Sequence, residues 1–238
     1  KYVQSSGRIF LTGTQALLRL ALDQKRRDEV AGLNTAGYIS GYRGSPMHVL
    51  DMQYWRVQGV MLDHNIKFTP AINEDLAATQ ISGSQQAGLY GDAEVDGVFS
   101  FWYGKGPGLD RSIDAMRHGA LRGAAPKGGV LALTGDDHGQ RSTTSTAHCE
   151  VLYEDLMMPV LYPANVQEVL DLGLHGIALS RFSGLWVGFK MVFETIDNSV
   201  TIKVGDDRAV PVIPNYDFGE NTPEIRDGKG ELWMASEA

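Results

Sequence analysis

The sequence predicts an α/β domain: a mostly parallel sheet of about six strands with helices on both faces. Three observations carry this. Short apolar runs rich in Val, Ile, Phe, Tyr and Trp alternate with longer helix-forming stretches, at the spacing of β-α-β crossovers. The runs are continuously apolar, as strands buried on both faces are. Several end in glycine-rich loops, where open α/β sheets place their ligands. The domain is expected over residues 1–200, with 201–238 as an extended C-terminal arm or linker towards further domains.

Taken in order, Thr14 can cap a first helix in which Leu17, Leu18, Leu20 and Ala21 form an apolar patch, and Gly32 ends it. A strand follows over 35–42. In Gly41-Tyr42-Arg43-Gly44-Ser45-Pro46, Ser45 is placed as an N-cap and Pro46 at the first helical position, opening a helix over 47–63. Residues 66–71 read as a short buried strand. Asn73 then caps a helix that begins at Glu74 and runs on through 76–90. Residues 96–103 form the next strand, 104–108 a turn, 110–121 a helix and 130–134 another strand. Asn165 with Glu168 opens the strongest helix, whose Val166, Val169, Leu170, Leu174, Ile177 and Ala178 share one face. Strands over 158–162 and 185–192 flank it.

Composition narrows the function. The chain has 238 residues, a net charge of -8 and one cysteine, Cys149. The acidic balance argues against nucleic acid or an anionic membrane as partner, and one thiol cannot form an internal disulfide or ligate a cluster. No apolar run reaches membrane-spanning length, so a cytoplasmic location is the expectation. Residues 205–238 carry much of the acidic excess, as linkers and arms often do.

Chemistry is expected in the loops at strand ends. Glu74 would stand at a strand's carboxyl end, in a helix's first turn, where an acid also interacts favourably with the helix dipole. The loops 41–46, 104–108 and 135–139 are glycine-rich, which suits either phosphate approach or tight turns. No Walker loop and no G-x-G-x-x-G follows a strand. Arg43, Lys105, Arg111, Arg117 and Arg141 bring cations to this rim, suiting an anionic substrate or simply solvent. Asp136, Asp137 and His138 lack a second cluster at ligand spacing, so no metal is expected on them.

Arg8–Leu17, Ala31–Gly37, Gly41–Pro46, Asn73-Glu74, Gly83–Gln86, Trp102–Ser112, Gly135–His138 and Pro163–Val169 together resemble the N-terminal part of the long bacterial indolepyruvate ferredoxin oxidoreductases. These belong to the 2-oxoacid:ferredoxin oxidoreductases, which use thiamine diphosphate, and the segment resembles their pyrimidine-binding domain. The resemblance implies that Glu74 bonds N1' of the aminopyrimidine and favours the tautomer that deprotonates thiazolium C2. Ile72 and Leu76 would shield its carboxylate. Gly44, Ser45 and Pro46 match the family turn against the cofactor, and Ser45 also stands where relatives contact substrate. Arg43, Lys105, Asp110, Arg111 and His138 are further substrate-binding candidates. Small residues of the Glu74 helix would allow close packing with another subunit, and a homodimer is implied. Mg2+ with the diphosphate, the iron-sulfur clusters, and the sites for ferredoxin and CoA would lie in other domains or subunits. The alternatives are the same cofactor with a different 2-oxo acid, or a non-catalytic assembly or sensing domain.

Overall fold

The computed structural model describes residues 1–91, 93–139, 142 and 146–216. Its centre is a parallel six-stranded sheet of β2 (Thr35–Gly41), β3 (Ile66–Phe68), β4 (Gly97–Lys105), β5 (Val130–Asp136), β6 (Val160–Leu161) and β7 (Val187–Val192). The strand order is β3-β2-β4-β5-β7-β6. The chain therefore first moves outward from β2 to β3, then crosses back to β4 on the other side. That reversal is the topological switch point of the sheet.

Helices α1 (Gly13–Val30), α2 (Leu50–Arg56), α3 (Gln58–Asp63) and α8 (Val166–Ser183) cover one face, around a core that includes Leu17, Leu18, Leu20, Ile39, Phe101 and Leu133. Helices α4 (Glu74–Gln85), α6 (Ile113–Arg122) and α7 (Cys149–Asp155) cover the other, packed on Trp102, Met116, Tyr153 and Trp186. Short α5 (Gly106–Arg111) and α9 (Phe193–Ile196) sit at strand ends. The α8 face is the expected one, with Val166, Val169, Leu170, Leu174 and Ile177 buried.

Several boundaries differ from expectation, each for a local reason. Thr12, not Thr14, caps α1, because a reciprocal capping box forms with Gln15. The helix expected over 47–63 starts only at Leu50 and breaks at Val57 into α2 and α3. Ser45 and Pro46 do not open it. The bond between them is cis, and both side chains turn into the interior. Strand β3 stops at Phe68 rather than residue 71, and α4 gives way to a 3-10 turn at 87–90. Residues 104–108 are not a free turn, since β4 continues to Lys105 and α5 begins at Gly106. Pro107 sits in the first turn of α5, where its missing amide is not needed.

A second, two-stranded sheet was not foreseen: β1 (Gly7–Thr12) pairs antiparallel with β8 (Ser199–Val204). The expected boundary at residue 200 therefore falls inside a strand. Past β8, Arg27 donates to the carbonyl of Ala209, and Pro211 and Ile213 line a cleft with Leu33, Leu174 and Phe182. The rest of the expected arm, 217–238, lies outside the described residues.

One substitution made at two glycines should give opposite signs. A Cβ on Gly13 would lie 2.0 Å from the Thr195 carbonyl oxygen, backbone that cannot step aside. Gly83, in α4, has nothing within 4 Å. Gly13→Ala should cost about 1–3 kcal/mol and Gly83→Ala should gain about 0.5–1 kcal/mol, read from urea unfolding of this chain.

Candidate functional site

Glu74 opens α4 at the switch point. Asn73 holds an extended conformation and its side chain accepts from the Leu76 amide at 2.9 Å, fixing where the helix begins. The Glu74 residue is 5% exposed. Ile72 and Leu76 do not provide that burial, because both face outward at 84% and 46% exposure. The cover comes instead from the end of β4 and from α5. The Trp102 indole donates to the Glu74 carbonyl at 3.0 Å. A Cβ on Gly108 would lie 2.5 Å from Glu74 Oε1, and one on Gly104 would lie 3.4 Å from its Cγ. Gly108 lets backbone lie directly against the carboxylate, while Gly104 makes room for the Trp102 ring, whose Cη2 a Cβ there would meet at 2.6 Å.

Among the described residues, the one charged partner of that carboxylate is Arg111, whose Nη1 is 3.8 Å from Oε2. Arg111 Nη2 is also 3.5 Å from Asp75 Oδ2. Ser112 shares its hydroxyl between Asp75 Oδ1, 3.1 Å away, and the Gly108 carbonyl, 2.7 Å away. Helices α4 and α5 are thus joined through polar contacts at the same edge as Glu74.

The sheet aligns the other candidates. Gly41 pairs with Tyr103 and Lys105 with Gly135, so the loops after β2, β4 and β5 start side by side. Lys105 packs its side chain where a Cβ on Gly44 would stand, and Pro46 lies where one on Gly135 would stand. Ser45 is buried in this seam, whereas Arg43 and Asp110 are exposed on it. Of the expected substrate cations among the described residues, only Arg111 reaches Glu74. His138 turns to α9, with Nε2 3.1 Å from Glu194 Oε1 and its ring against Phe193. Arg117 bonds the Asp155 carbonyl at the end of α7, and Arg141 lies outside the described residues.

A second, half-buried cluster escaped sequence reasoning. Lys190 on β7 places Nζ 3.2 Å from Asp136 Oδ2 on neighbouring β5 and 2.7 Å from Glu150 Oε2 on α7. Asp136 also accepts from the Cys149 amide at 3.1 Å. Burial opposes the charge on Lys190, but the Glu150 and Asp136 carboxylates outweigh it and hold the ammonium above its usual range. Burial, then the charge of Asp136, pushes the Cys149 thiol up. Asp136, Cys149 and Glu150 present ligand-type atoms within 4.8 Å of one another, and Lys190 supplies the cation between the two acids. Only pairing across strands brings these four together, and no spacing along the chain marks them.

No family model matches the chain. Two curated relatives, both named indolepyruvate oxidoreductase subunit IorA, align with it. The one from Methanothermobacter thermautotrophicus is 25% identical over 178 residues, covering 75% of this chain and 25% of the relative. The one from Methanothermobacter marburgensis is 24% identical over 205 residues, covering 86% and 29%. The chain therefore spans little more than a quarter of their length. Among solved structures, the 2-oxoglutarate:ferredoxin oxidoreductase from Magnetococcus marinus shares the fold, with a TM-score of 0.64 at 14% identity over 94% of this chain and 38% of that one. No helix among the described residues is long and apolar enough to cross a membrane.

Lys190→Met should leave two carboxylates without their cation and destabilise the chain by about 3 kcal/mol in denaturant unfolding. Adding Asp136→Asn to that variant should recover part of the loss, because one of the stranded charges is then gone.

Proposed function

We propose that this member of the 2-oxoacid:ferredoxin oxidoreductase family is the part that holds the aminopyrimidine ring of thiamine diphosphate. The complete enzyme would oxidatively decarboxylate an aryl 2-oxo acid such as indolepyruvate to an acyl-CoA, reducing ferredoxin, in the cytoplasm. One observation carries the reading: Glu74 is a buried carboxylate at the switch point, packed against glycine backbone, with no hydrogen-bond donor at normal distance among the described residues. A carboxyl so placed fits a ring nitrogen that exchanges a proton, and Gly104 and Gly108 keep side chains out of the space beside it.

When bound, thiamine diphosphate would supply an acidic C–H, the carbon nucleophile left when its proton is lost, and the electron sink that decarboxylation of a 2-oxo acid needs. Glu74 would hold the ring nitrogen and share a proton with it. Trp102 holds the Glu74 backbone through its carbonyl, and α5 lies against the carboxylate at Gly108. Gly44, Ser45 and Pro46 form the adjoining wall. Lys105, Arg43 and Arg111 offer positive charge to the substrate carboxylate, with Asp110 and His138 further out on the same rim. Mg2+ and the diphosphate, the iron-sulfur clusters, ferredoxin and CoA would engage other domains or subunits, and a second copy of the chain would complete a homodimer. The sequence similarity to two indolepyruvate oxidoreductase subunits supports an aryl substrate.

Glu74→Gln in the complete enzyme should lower kcat by about 10²–10⁴-fold and slow exchange of the cofactor C2 proton followed by NMR. Turnover at the wild-type level would remove Glu74 from the mechanism. Gly108→Ala, which drives a methyl into Oε1, should lower kcat/KM by about 10²-fold without unfolding the protein. In a competition between indolepyruvate and 2-oxoglutarate, the aryl acid should be consumed first, and the reverse order would reassign the substrate.

A further inference from the structure

Adjacent acids at the start of α4 share one guanidinium. Arg111 lies 3.8 Å from Glu74 Oε2 and 3.5 Å from Asp75 Oδ2. The two acids differ in their other support. Asp75 is tied to α5 by Ser112 at 3.1 Å and keeps that bond whatever Arg111 does. The Glu74 carboxylate has no comparable bond among the described residues. Its two oxygens also have different neighbours: a Cβ on Gly108 would stand 2.5 Å from Oε1, whereas Arg111 stands on the Oε2 side.

The pair is lopsided in solvent as well. The Glu74 side chain is 6% exposed and that of Arg111 is 53% exposed. A long pair with one partner half in water is weak and easily broken. If it breaks, Arg111 keeps Asp75 and water, whereas Glu74 would be a buried carboxylate with no partner. Such a carboxylate needs a replacement at the moment Arg111 leaves.

We propose that Arg111 is a placeholder: it is the counter-ion of Glu74 while the cofactor is absent, and the aminopyrimidine takes Glu74 from it. Arg111 then remains on Asp75 as an uncommitted cation at the rim. This rests on the reading of Glu74 given above. It makes Arg111 a positioning residue for the empty site, distinct from a fixed part of the loaded one. A guanidinium needed for folding would be buried and multiply bonded, as Arg19 is, and Arg111 is neither.

The test is a titration of the complete, cofactor-free enzyme with thiamine diphosphate and Mg2+, followed by calorimetry and by quenching of tryptophan fluorescence. Arg111→Gln should lower the cofactor Kd about two- to fivefold, with Arg111→Lys in between. In a Glu74→Gln background the same Arg111→Gln change should leave Kd where it is, because the competed group is gone. An unchanged or higher Kd for Arg111→Gln alone overturns the placeholder. The two readings separate cleanly: if Glu74→Gln impairs binding and turnover but Arg111→Gln does not tighten binding, only the placeholder falls. If Glu74→Gln changes neither, the role of Glu74 falls and the placeholder with it.

Discussion

Backbone pressed against a carboxylate is the contact on which the candidate site depends. Main chain can lie against Glu74 Oε1 only because Gly108 carries no side chain, and at Gly104 the same freedom lets the Trp102 ring lie against the backbone beside Glu74. The consequences run outward from there. α5 can start immediately at the end of β4, Ser112 can reach Asp75, and Arg111 can reach Glu74, all within one turn of helix. On the other side, Pro46 occupies the space that a side chain on Gly135 would need, so the loops after β2 and β5 close over β4 between them. The glycines that invite comparison with phosphate loops therefore serve mutual packing of three loops, which is what buries an acid at a strand end.

Charge pairs hold the layers in register around that edge. Asp28 on α1 accepts both terminal nitrogens of Arg181 on α8, at 2.7 and 2.8 Å, and also the Thr35 hydroxyl at the start of β2. One buried carboxylate thus fixes two helices and a strand relative to one another. Lys190 does similar work for β5, β7 and α7. Each pair exchanges solvation for directionality, so it contributes more to which arrangement forms than to total stability.

What was legible in the sequence was local. The Asn73–Glu74 start of α4 follows from capping chemistry within three residues, and α8 follows from a cap plus one apolar face, so both stand as expected. The central strands were visible because double-sided burial leaves a continuous apolar run. Hidden features were those decided by distant partners. The helix expected over 47–63 lost its first turn because Pro46 is drawn against Gly135, some ninety residues on. β1 and β8 read as unremarkable segments until they pair across nearly the whole chain. Ile72 and Leu76 looked like natural cover for Glu74, yet they are exposed, and the contact on its carboxylate comes from Gly108, with Trp102 on the backbone carbonyl. Among the rim cations nothing in the sequence sets Arg111 apart, since only the fold of α5 brings it to the acid.

The pairing of β1 with β8 also sets a reach problem. After β8 the chain turns to the amino ends of the strands, where Arg27 grips Ala209 and where Pro211 and Ile213 meet Leu33 and Phe182. Glu74 lies at the opposite end, a distance set by strands such as β4, which at about 3.3 Å per residue is about 30 Å long. Any later stretch of the same polypeptide that is to close over Glu74 must first travel back along that length, which takes about nine extended residues.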